Sequence, residues 1–282
     1  MTKIAEIFGV STGSTGNVDW RELLQERSCP YRGAPCIKMR KSEPDTAMGT
    51  CSIHDGKLGN RLLICPYRLL DHGVFADCLH LLALHKPGNE LHIVPEVPFP
   101  GGSVDYFLTS VRNGRVQDFL GVELQALDTT GTVWPERERF LQSTGIEVAV
   151  DDVNSQESFA INWKMTAEGF LTQLNGKTKS FEYLDKHLVV LMQDIFLDYL
   201  RSELRFDRFG DARPGDPIHF HSYSHVDRGG KAGVLELAER ISTDANGIPE
   251  SRGPQADPHL ELGNIVRQLE AKISSATLLR TG

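Results

Sequence analysis

The distribution of cysteines most constrains how this chain can fold. All five lie within the first 78 of 282 residues, and the other 204 residues have none. The chain has no run of about 18 apolar residues that would cross a membrane, and its N-terminus lacks the apolar core of a secretion signal. We therefore expect a cytoplasmic protein, in which clustered cysteines bind a metal or pack as inert core thiols rather than form disulfides.

The first four cysteines have surroundings that suit a shared metal centre. Cys29 and Cys65 each begin a Cys-Pro-Tyr-Arg segment, and proline or glycine shortly precedes Cys36 and Cys51. Four thiolates presented from turns satisfy a tetrahedral Zn²⁺ or iron centre. The alternative is that these cysteines are buried as small apolar side chains. The fifth, Cys78, lies in an apolar, helix-like run, and we assign it to the core.

The charges are distributed as unevenly as the cysteines. Residues 27–68 hold eight basic and three acidic residues, a net charge of +5, which leaves −13 for the remainder of a chain whose total is −8. An acidic total argues against nucleic acid as a partner, whereas the basic segment would attract a phosphate backbone. An ordinary solvated loop region explains the basic segment equally well. We predict a metal-binding module in residues 1–70 and a second domain with a C-terminal helical extension in residues 71–282.

The strongest local signal in the middle of the chain is a β-hairpin. Two β-rich runs, residues 103–111 and 116–127, flank Asn113-Gly114, a pair typical of tight hairpin turns. Asp105 lies in the first run, and Glu123 and Gln125 share one face of the second because they are two residues apart.

The turn geometry decides whether the two acids can meet. A two-residue turn with unbroken strands places Asp105 opposite residue 122, which leaves Glu123 on the other face of the sheet. A three-residue loop or a β-bulge instead brings Asp105 opposite Glu123. If the acids act together, the hairpin must contain one of these two irregularities.

Paired acids on one sheet face suggest a metal site. Neighbouring carboxylates repel unless a cation joins them, and oxygen ligands suit Mg²⁺, which retains water and binds substrate phosphate. Such a metal would polarise a phosphodiester and lower the pKa of its bound water. The alternative is that Asp105 and Glu123 face solvent on an open sheet, although acids within apolar strands are costly unless they have partners. Glu96 either adds a third carboxylate or lies in a proline-flanked loop.

The order of these features resembles a known family. An Asp on one strand and Glu-x-Gln on the next is similar to the PD-(D/E)xK nuclease arrangement, with Gln125 in place of the usual lysine. The stretches GTCSI, LICPYRLLD and GVELQALDTTG, in this order, resemble the NotI family of type II restriction endonucleases. The resemblance covers roughly residues 29–131.

The resemblance implies a PD-(D/E)xK restriction-endonuclease-like core preceded by a small four-cysteine module. It implies that a structural iron is bound by Cys29, Cys36, Cys51 and Cys65. It also implies that the active site consists of Asp105, Glu123 and Gln125, with Mg²⁺ on the two acids. A glutamine amide can orient the attacking water but cannot hold a proton, so activation of that water would depend more on the metal.

The remaining segments predict helices packed against a mixed sheet. Apolar residues recur at helical spacing in residues 161–179 and 181–206, and residues 235–241 predict a short helix. Residues 217–226 alternate as a strand, and residues 132–158 are expected to form a connecting insertion. The combination predicts an α/β (α+β) fold with a mixed central sheet flanked by helices.

Several other polar residues have a simple interpretation. Four helix lysines could meet phosphate but are better explained by a solvated helix face: Lys164, Lys177, Lys179 and Lys186. Three histidines share one face of the predicted strand but span too far for one metal ion, so they are interpreted as structural or DNA-contacting: His219, His221 and His225. Residues 260–273 predict an amphipathic helix suited to docking or dimerisation.

Together these features predict a Mg²⁺-dependent, sequence-specific endonuclease for double-stranded DNA. By the resemblance it is a type II restriction enzyme of the bacterial cytoplasm that cuts a palindromic, GC-rich site as a homodimer. A host would need protection from such cleavage, so a partner DNA methyltransferase is expected. The alternative is a non-catalytic DNA-binding module stabilised by its metal. A third interpretation, an iron–thiolate redox or metal-sensing protein, has no supporting feature in the sequence.

Overall fold

The computed structural model describes residues 2–14, 18–56, 60–70, 73–99, 101–226 and 233–252. The amphipathic helix expected at residues 260–273 lies outside these ranges. Within them, no helix is both long and apolar enough to cross a membrane.

Strands dominate the described part of the chain. They are β1 (Ile4–Ile7), β2 (Val10–Ser11), β3 (Ser28–Cys29), β4 (Ala34–Pro35), β5 (Met39–Arg40), β6 (Glu43–Ala47), β7 (Thr50–His54), β8 (Arg61–Leu63), β9 (Glu90–Phe99), β10 (Gly102–Arg112), β11 (Arg115–Gln125), β12 (Thr129–Gly131), β13 (Phe159–Ile161), β14 (Leu188–Gln193), β15 (Gly210–Asp211), β16 (Ile218–Val226) and β17 (Val234–Thr243). The α-helices are α1 (Trp20–Glu26), α2 (Trp134–Ser143), α3 (Val150–Asn154), α4 (Trp163–Tyr183), α5 (Asp194–Glu203) and α6 (Gly247–Ser251). Two 3₁₀ helices span Pro66–Leu69 and Ala76–Leu81.

A seven-stranded mixed sheet forms the centre of the molecule, with the strand order β15-β17-β16-β14-β11-β10-β9. The β9–β10 and β10–β11 pairs are antiparallel, whereas β14 is parallel to both β11 and β16. Parallel neighbours need crossover connections, which α4 supplies before β14 and α5 after it. The predicted combination of a mixed sheet and flanking helices is therefore confirmed.

The N-terminal residues form a second, four-stranded antiparallel sheet with the order β2-β1-β7-β8. Its buried side chains, including Ile4, Ile53 and Leu62, belong to the same apolar cluster as Phe170 of α4 and Phe196 of α5. The two sheets thus share one core. The boundary at residue 70 stays a prediction.

Several predicted elements are confirmed. The hairpin runs form β10 and β11, residues 161–179 lie mainly in α4, and residues 217–226 correspond to β16. The side chain of Asn162 caps α4 by accepting a hydrogen bond from the Met165 N–H. Cys78 is fully buried, as expected for a core residue.

The single long helix expected over residues 181–206 is wrong. Helix α4 ends at Tyr183, Asp185 adopts a left-handed φ of +50°, and Leu188–Gln193 forms the central strand β14 before α5 begins. Every residue of β14 is buried, because helices or loops cover both faces of a parallel strand. Such a continuous apolar run has no period that distinguishes a strand from a buried helix.

One further expectation, a short helix at residues 235–241, is wrong. Residues 235–241 form part of β17, where antiparallel pairing with β16 overrides the weak helical pattern. The connecting insertion expected at residues 132–158 contains the helices α2 and α3. Trp134 anchors these helices. Its buried ring is stacked by the guanidinium groups of Arg40 and Arg137, which lie 4.6 and 4.4 Å from the ring centroid. Its indole N–H donates to Asp152 of α3 at 2.8 Å.

Two histidines of β16 are core residues. His219 and His221 are fully buried. Burial, with His187 nearby, lowers the pKa of His219 to about 4, and burial, with Arg240 nearby, lowers the pKa of His221 to about 3. Both imidazoles are therefore neutral in the folded protein at physiological pH.

We predict that these histidines make the fold sensitive to mild acid. Unfolding frees both imidazoles to bind protons once the pH falls below their ordinary pKa of 6.5. The contribution of these neutral histidines to the free energy of unfolding is complete above pH 6.5 and is lost as the pH falls towards 4. At pH 5 the loss should be on the order of 2–4 kcal/mol. Urea unfolding at pH 7.5 and pH 5 measures this loss.

The matched variants are His221→Gln and, as a control, His92→Gln at an exposed position. The first variant should show a smaller difference in unfolding free energy between the two pH values than the wild type does. An equal pH dependence for both variants would contradict the assignment.

Candidate active site and cysteine cluster

A bulge in the β10–β11 hairpin determines which residues face each other. The predicted Asn-Gly pair forms a two-residue turn with φ angles of +51° and +70°, as hairpin turns of this length require. Beyond the turn, Val111 pairs with Val116 but Ser110 pairs with Asp118. Gln117 is therefore the extra residue of a β-bulge.

This bulge brings the two predicted acids together. Tyr106 pairs with Val122 on the far side of the bulge, so the next positions along each strand, Asp105 and Glu123, face each other. The Leu124 N–H donates to the Asp105 carboxylate at 2.8 Å. The hairpin thus contains one of the two irregularities that joint action of the acids requires.

Glu96 approaches the same place from the edge strand β9. The residues on either side of Glu96 pair with the residues on either side of Asp105, so these two acids lie side by side. Glu96 is exposed and has a left-handed φ of +53°. All three carboxylates and Gln125 line one cavity of about 180 Å³.

A buried lysine from α4 completes this cavity. The Lys177 ammonium lies 2.5 Å from the Glu123 carboxylate, and its side chain is 6% exposed. The expectation that Lys177 belongs to a solvated helix face is therefore wrong. A sequence signal was available, because Lys177 follows Leu174 by three residues and precedes Phe181 by four, which places it on the apolar stripe of the helix.

Two glycines allow α4 to approach the hairpin closely enough for this contact. Gly101 has a φ of +93°, and a Cβ atom built there would lie 2.0 Å from the carbonyl oxygen of Gly176. The backbone before β10 and the backbone of α4 therefore touch directly, one residue before Lys177. A side chain at Gly101 would push the helix and its lysine away from Glu123.

Burial dominates the electrostatics of the cavity. It raises the pKa of Glu123 to about 7, an effect that the neighbouring Asp105 strengthens and Lys177 opposes. Burial also raises the pKa of Asp105, against the hydrogen bond from Leu124. Neutralising these acids costs less than burying them charged, and an added cation would have the opposite effect by favouring both charged forms.

Gln125 lies at the edge of this arrangement. It lines the cavity, but its side-chain amide nitrogen donates to the neighbouring carbonyl of Ala126 at 2.7 Å. The amide oxygen remains as the acceptor that Gln125 can offer to a water molecule.

The four predicted cysteine ligands also gather in one region. Cys29, Cys51 and Cys65 are buried and Cys36 is half-buried. Burial raises the pKa of Cys51, with Glu6 and Cys65 adding to it, and burial raises the pKa of Cys65, with Cys29 and Cys36 adding to it. The Cys65 N–H also donates to the Cys51 carbonyl at 3.2 Å, so two of the four cysteine segments are in direct contact.

A buried ion pair holds the cysteine-bearing segments together. Arg68 and Glu6 are 1% and 0% exposed, and the Arg68 Nε lies 3.1 Å from the Glu6 carboxylate. The same carboxylate accepts hydrogen bonds from the hydroxyl groups of Ser52, at 2.8 Å, and of Tyr31. Arg68 also donates to the carbonyl of Gly233 at the start of β17.

The donor chemistry of the two sites suits different metals. Two carboxylates that face each other in a polar cavity fit Mg²⁺, with water and phosphate as its remaining ligands. A group of thiols fits iron or Zn²⁺. Across the described ranges, no three His, Cys, Asp or Glu side chains converge closely enough to hold a metal.

No protein-family model matches the chain, and no curated protein is significantly similar to it.

We predict that Gly101→Ala strongly destabilises the protein because its Cβ would overlap the Gly176 carbonyl. The free energy of unfolding should fall by about 3 kcal/mol or more in urea titrations. Gly88→Ala is the matched control, since Gly88 has a similar φ of +88° but no atom within 4 Å of its Cβ position. That variant should lose only about 1 kcal/mol. Equal losses would mean that the close approach to α4 is unimportant.

Proposed function

We propose that this protein is a Mg²⁺-dependent endonuclease that hydrolyses phosphodiester bonds in double-stranded DNA. The observation that carries this proposal is the convergence of Asp105, Glu123 and Lys177 in one cavity at a bulged hairpin. Opposed carboxylates with a lysine beside them are the groups that metal-assisted phosphoryl chemistry uses. A purely structural pair of acids would not need to be desolvated together.

The residues of the cavity have separate roles in this proposal. Asp105 and Glu123 would hold Mg²⁺, which when bound polarises the phosphate and supplies an acidic water. Lys177 provides the fixed positive charge that Gln125 lacks and keeps the Glu123 carboxylate turned into the cavity. Gln125 orients the attacking water through its amide oxygen, and Glu96 adds a further carboxylate at the entrance.

The fold supports a narrower assignment. The mixed sheet flanked by helices, with Asp on one strand and Glu-x-Gln on the next, is what a PD-(D/E)xK core would have. Together with the cysteine cluster, this supports a type II restriction endonuclease similar to the NotI family. Recognition of a palindrome would follow from a two-fold homodimer, paired in the host with a methyltransferase.

The basic segment at residues 27–68 supports DNA as the substrate only in part. Several of its cations have partners within the protein: Arg40 pairs with Asp152 at 2.7 Å, Arg68 pairs with Glu6, and Lys38 donates to the carbonyl of Ile64. The exposed Lys41 and the half-buried Arg32 have no carboxylate at salt-bridge distance within the described residues. These two cations are the better candidates for phosphate contacts.

The proposal predicts metal-dependent cleavage that the cavity residues control. Purified protein should cut plasmid and long genomic DNA into discrete fragments with Mg²⁺ but not with EDTA. Asp105→Asn and Glu123→Gln should lower the rate at least about 100-fold, because each removes a metal ligand. Lys177→Met should lower it about 10- to 1,000-fold through the loss of a preorganised charge. Gel electrophoresis of timed digests measures these rates.

Asp198→Asn, at a 74% exposed position on α5, is the control and should cleave like the wild type. Thermal unfolding of each variant separates loss of chemistry from loss of fold. DNA binding without cleavage on both GC-rich and AT-rich substrates would overturn the nuclease proposal and favour a non-catalytic DNA-binding module.

We further propose that the cysteine cluster holds a structural iron or zinc ion. Elemental analysis should find about one metal ion per chain. Cys51→Ser should lose most of this metal and unfold at a lower temperature, because the remaining thiols cannot close the site. Cys78→Ser is the matched control, since Cys78 is equally buried but lies outside the cluster. A metal-free wild-type protein, or equal metal loss in both variants, would contradict the assignment.

A further inference from the structure

The two Cys-Pro-Tyr-Arg segments pack against each other in a crossed arrangement. The guanidinium of Arg68 lies over the ring of Tyr31 at 4.6 Å, and the guanidinium of Arg32 lies over the ring of Tyr67 at 5.0 Å. Each arginine thus stacks on the tyrosine of the other segment, a favourable cation–π contact. Four residues of identical local sequence therefore form two equivalent pairs.

The surroundings of the two pairs differ. Arg68 is buried against Glu6, and the Tyr31 hydroxyl donates to the same carboxylate. Both polar groups of the first pair therefore have partners inside the protein. Arg32 is half-buried and donates through Nη1 to the carbonyl of Pro35 at 2.9 Å. Within the described residues, Arg32 has no carboxylate partner, and the Tyr67 hydroxyl makes no hydrogen bond.

The second pair lies at the wall of the candidate active site. Pro66 and Tyr67 line the same cavity as Asp105 and Glu123. Arg32 therefore adjoins the cavity through Tyr67, on whose ring its guanidinium stacks at 5.0 Å. Pro66 and Tyr67 belong to the 3₁₀ helix that starts immediately after Cys65. The cysteine segment therefore forms part of the cavity wall.

We propose that Arg32 and Tyr67 bind a backbone phosphate of the DNA strand next to the phosphate that is cleaved. This inference rests on the proposed nuclease function and adds to it a strand-positioning site built from the cysteine segment. The guanidinium offers a charged fork of donors and the phenol offers one more, which together suit the oxygens of a phosphate.

The charge of the cavity explains why such a site is needed. Three carboxylates, on Glu96, Asp105 and Glu123, face the approaching strand, and Lys177 is already paired with one of them. Even with Lys177 and a bound Mg²⁺, the charges of the cavity would only cancel, so the cavity itself offers no net positive charge to a second phosphate. Arg32 supplies a cation beside the cavity that no carboxylate neutralises, and stacking on Tyr67 together with the bond to Pro35 restricts its motion before DNA binds.

The test compares Arg32→Met and Tyr67→Phe with the wild type on a short duplex that carries the mapped cleavage site. Cleavage with Mg²⁺ should lose about 10- to 100-fold in kcat/KM for Arg32→Met and about 3- to 10-fold for Tyr67→Phe. DNA binding measured by fluorescence anisotropy in EDTA should weaken in parallel. For Arg32→Met, the slope of log Kd against log salt concentration should decrease by about 1, the change expected when one phosphate contact is lost.

A substrate with one neutral methylphosphonate locates the contact. Placed at the phosphate that Arg32 binds, the substitution should weaken wild-type binding as much as Arg32→Met does and should not weaken the variant further. Arg112→Met, at the exposed tip of the hairpin, is the control for loss of one positive charge and should respond to every methylphosphonate as the wild type does.

Different results would refute the phosphate-binding site and the nuclease activity. If the wild type cleaves with Mg²⁺ but the Arg32 and Tyr67 variants bind and cleave equally well, the positioning site is wrong and the nuclease proposal stands. If no methylphosphonate position cancels the effect of Arg32→Met while thermal unfolding is unchanged, the direct phosphate contact is likewise refuted. A wild type that neither binds nor cleaves DNA would overturn both proposals.

Discussion

The buried ion pair between Glu6 and Arg68 is the interaction on which the N-terminal half of the structure depends. Removing either partner would leave an uncompensated charge in the core, at a cost of about 3–5 kcal/mol. The pair joins parts of the chain that are far apart in sequence: strand β1, the Cys29 segment through Tyr31, the 3₁₀ helix after Cys65, and the start of β17 through Gly233. The network thereby fixes Tyr31 and Arg68, which follow Cys29 and Cys65 in their segments.

The candidate active site depends on a related balance. Asp105 and Glu123 are withdrawn from water, and the resulting cost appears as raised pKa values for both. Lys177 offsets part of that cost, and a bound cation would offset the rest. The cysteine segment meets this site at Pro66 and Tyr67, so the two predicted sites are neighbours and share a wall. A shift of the Cys65 segment is therefore expected to displace Pro66 and Tyr67 and so change the shape of the cavity.

How much of the site could be predicted from sequence depended on the range of the contacts involved. The Asn-Gly turn is a local signal that correctly predicted the hairpin, whereas the choice between straight and irregular strands stayed open. The position of the bulge at Gln117 required the pairing itself. Lys177 was assigned to a solvated helix face because lysines are usually solvated, although its helical spacing places it on the apolar face. Its partner Glu123 is 54 residues away in the sequence, so no local pattern could pair them.

Sequence by itself determined the elements whose signals are local: the hairpin, the helix α4, the strand β16, and the candidate residues Asp105, Glu123, Gln125 and the first four cysteines. Tertiary structure decided whether residues 188–193 became a strand, whether residues 235–241 paired with β16, and which arginine of the two Cys-Pro-Tyr-Arg segments was buried. The reason is physical. Turn and helix preferences act over a few residues, whereas burial, sheet pairing and ion pairing depend on partners brought together only when the chain folds. Arg32 and Arg68 have the same local sequence, but Arg68 meets Glu6 and Gly233 in the core, whereas Arg32 lies beside the cavity.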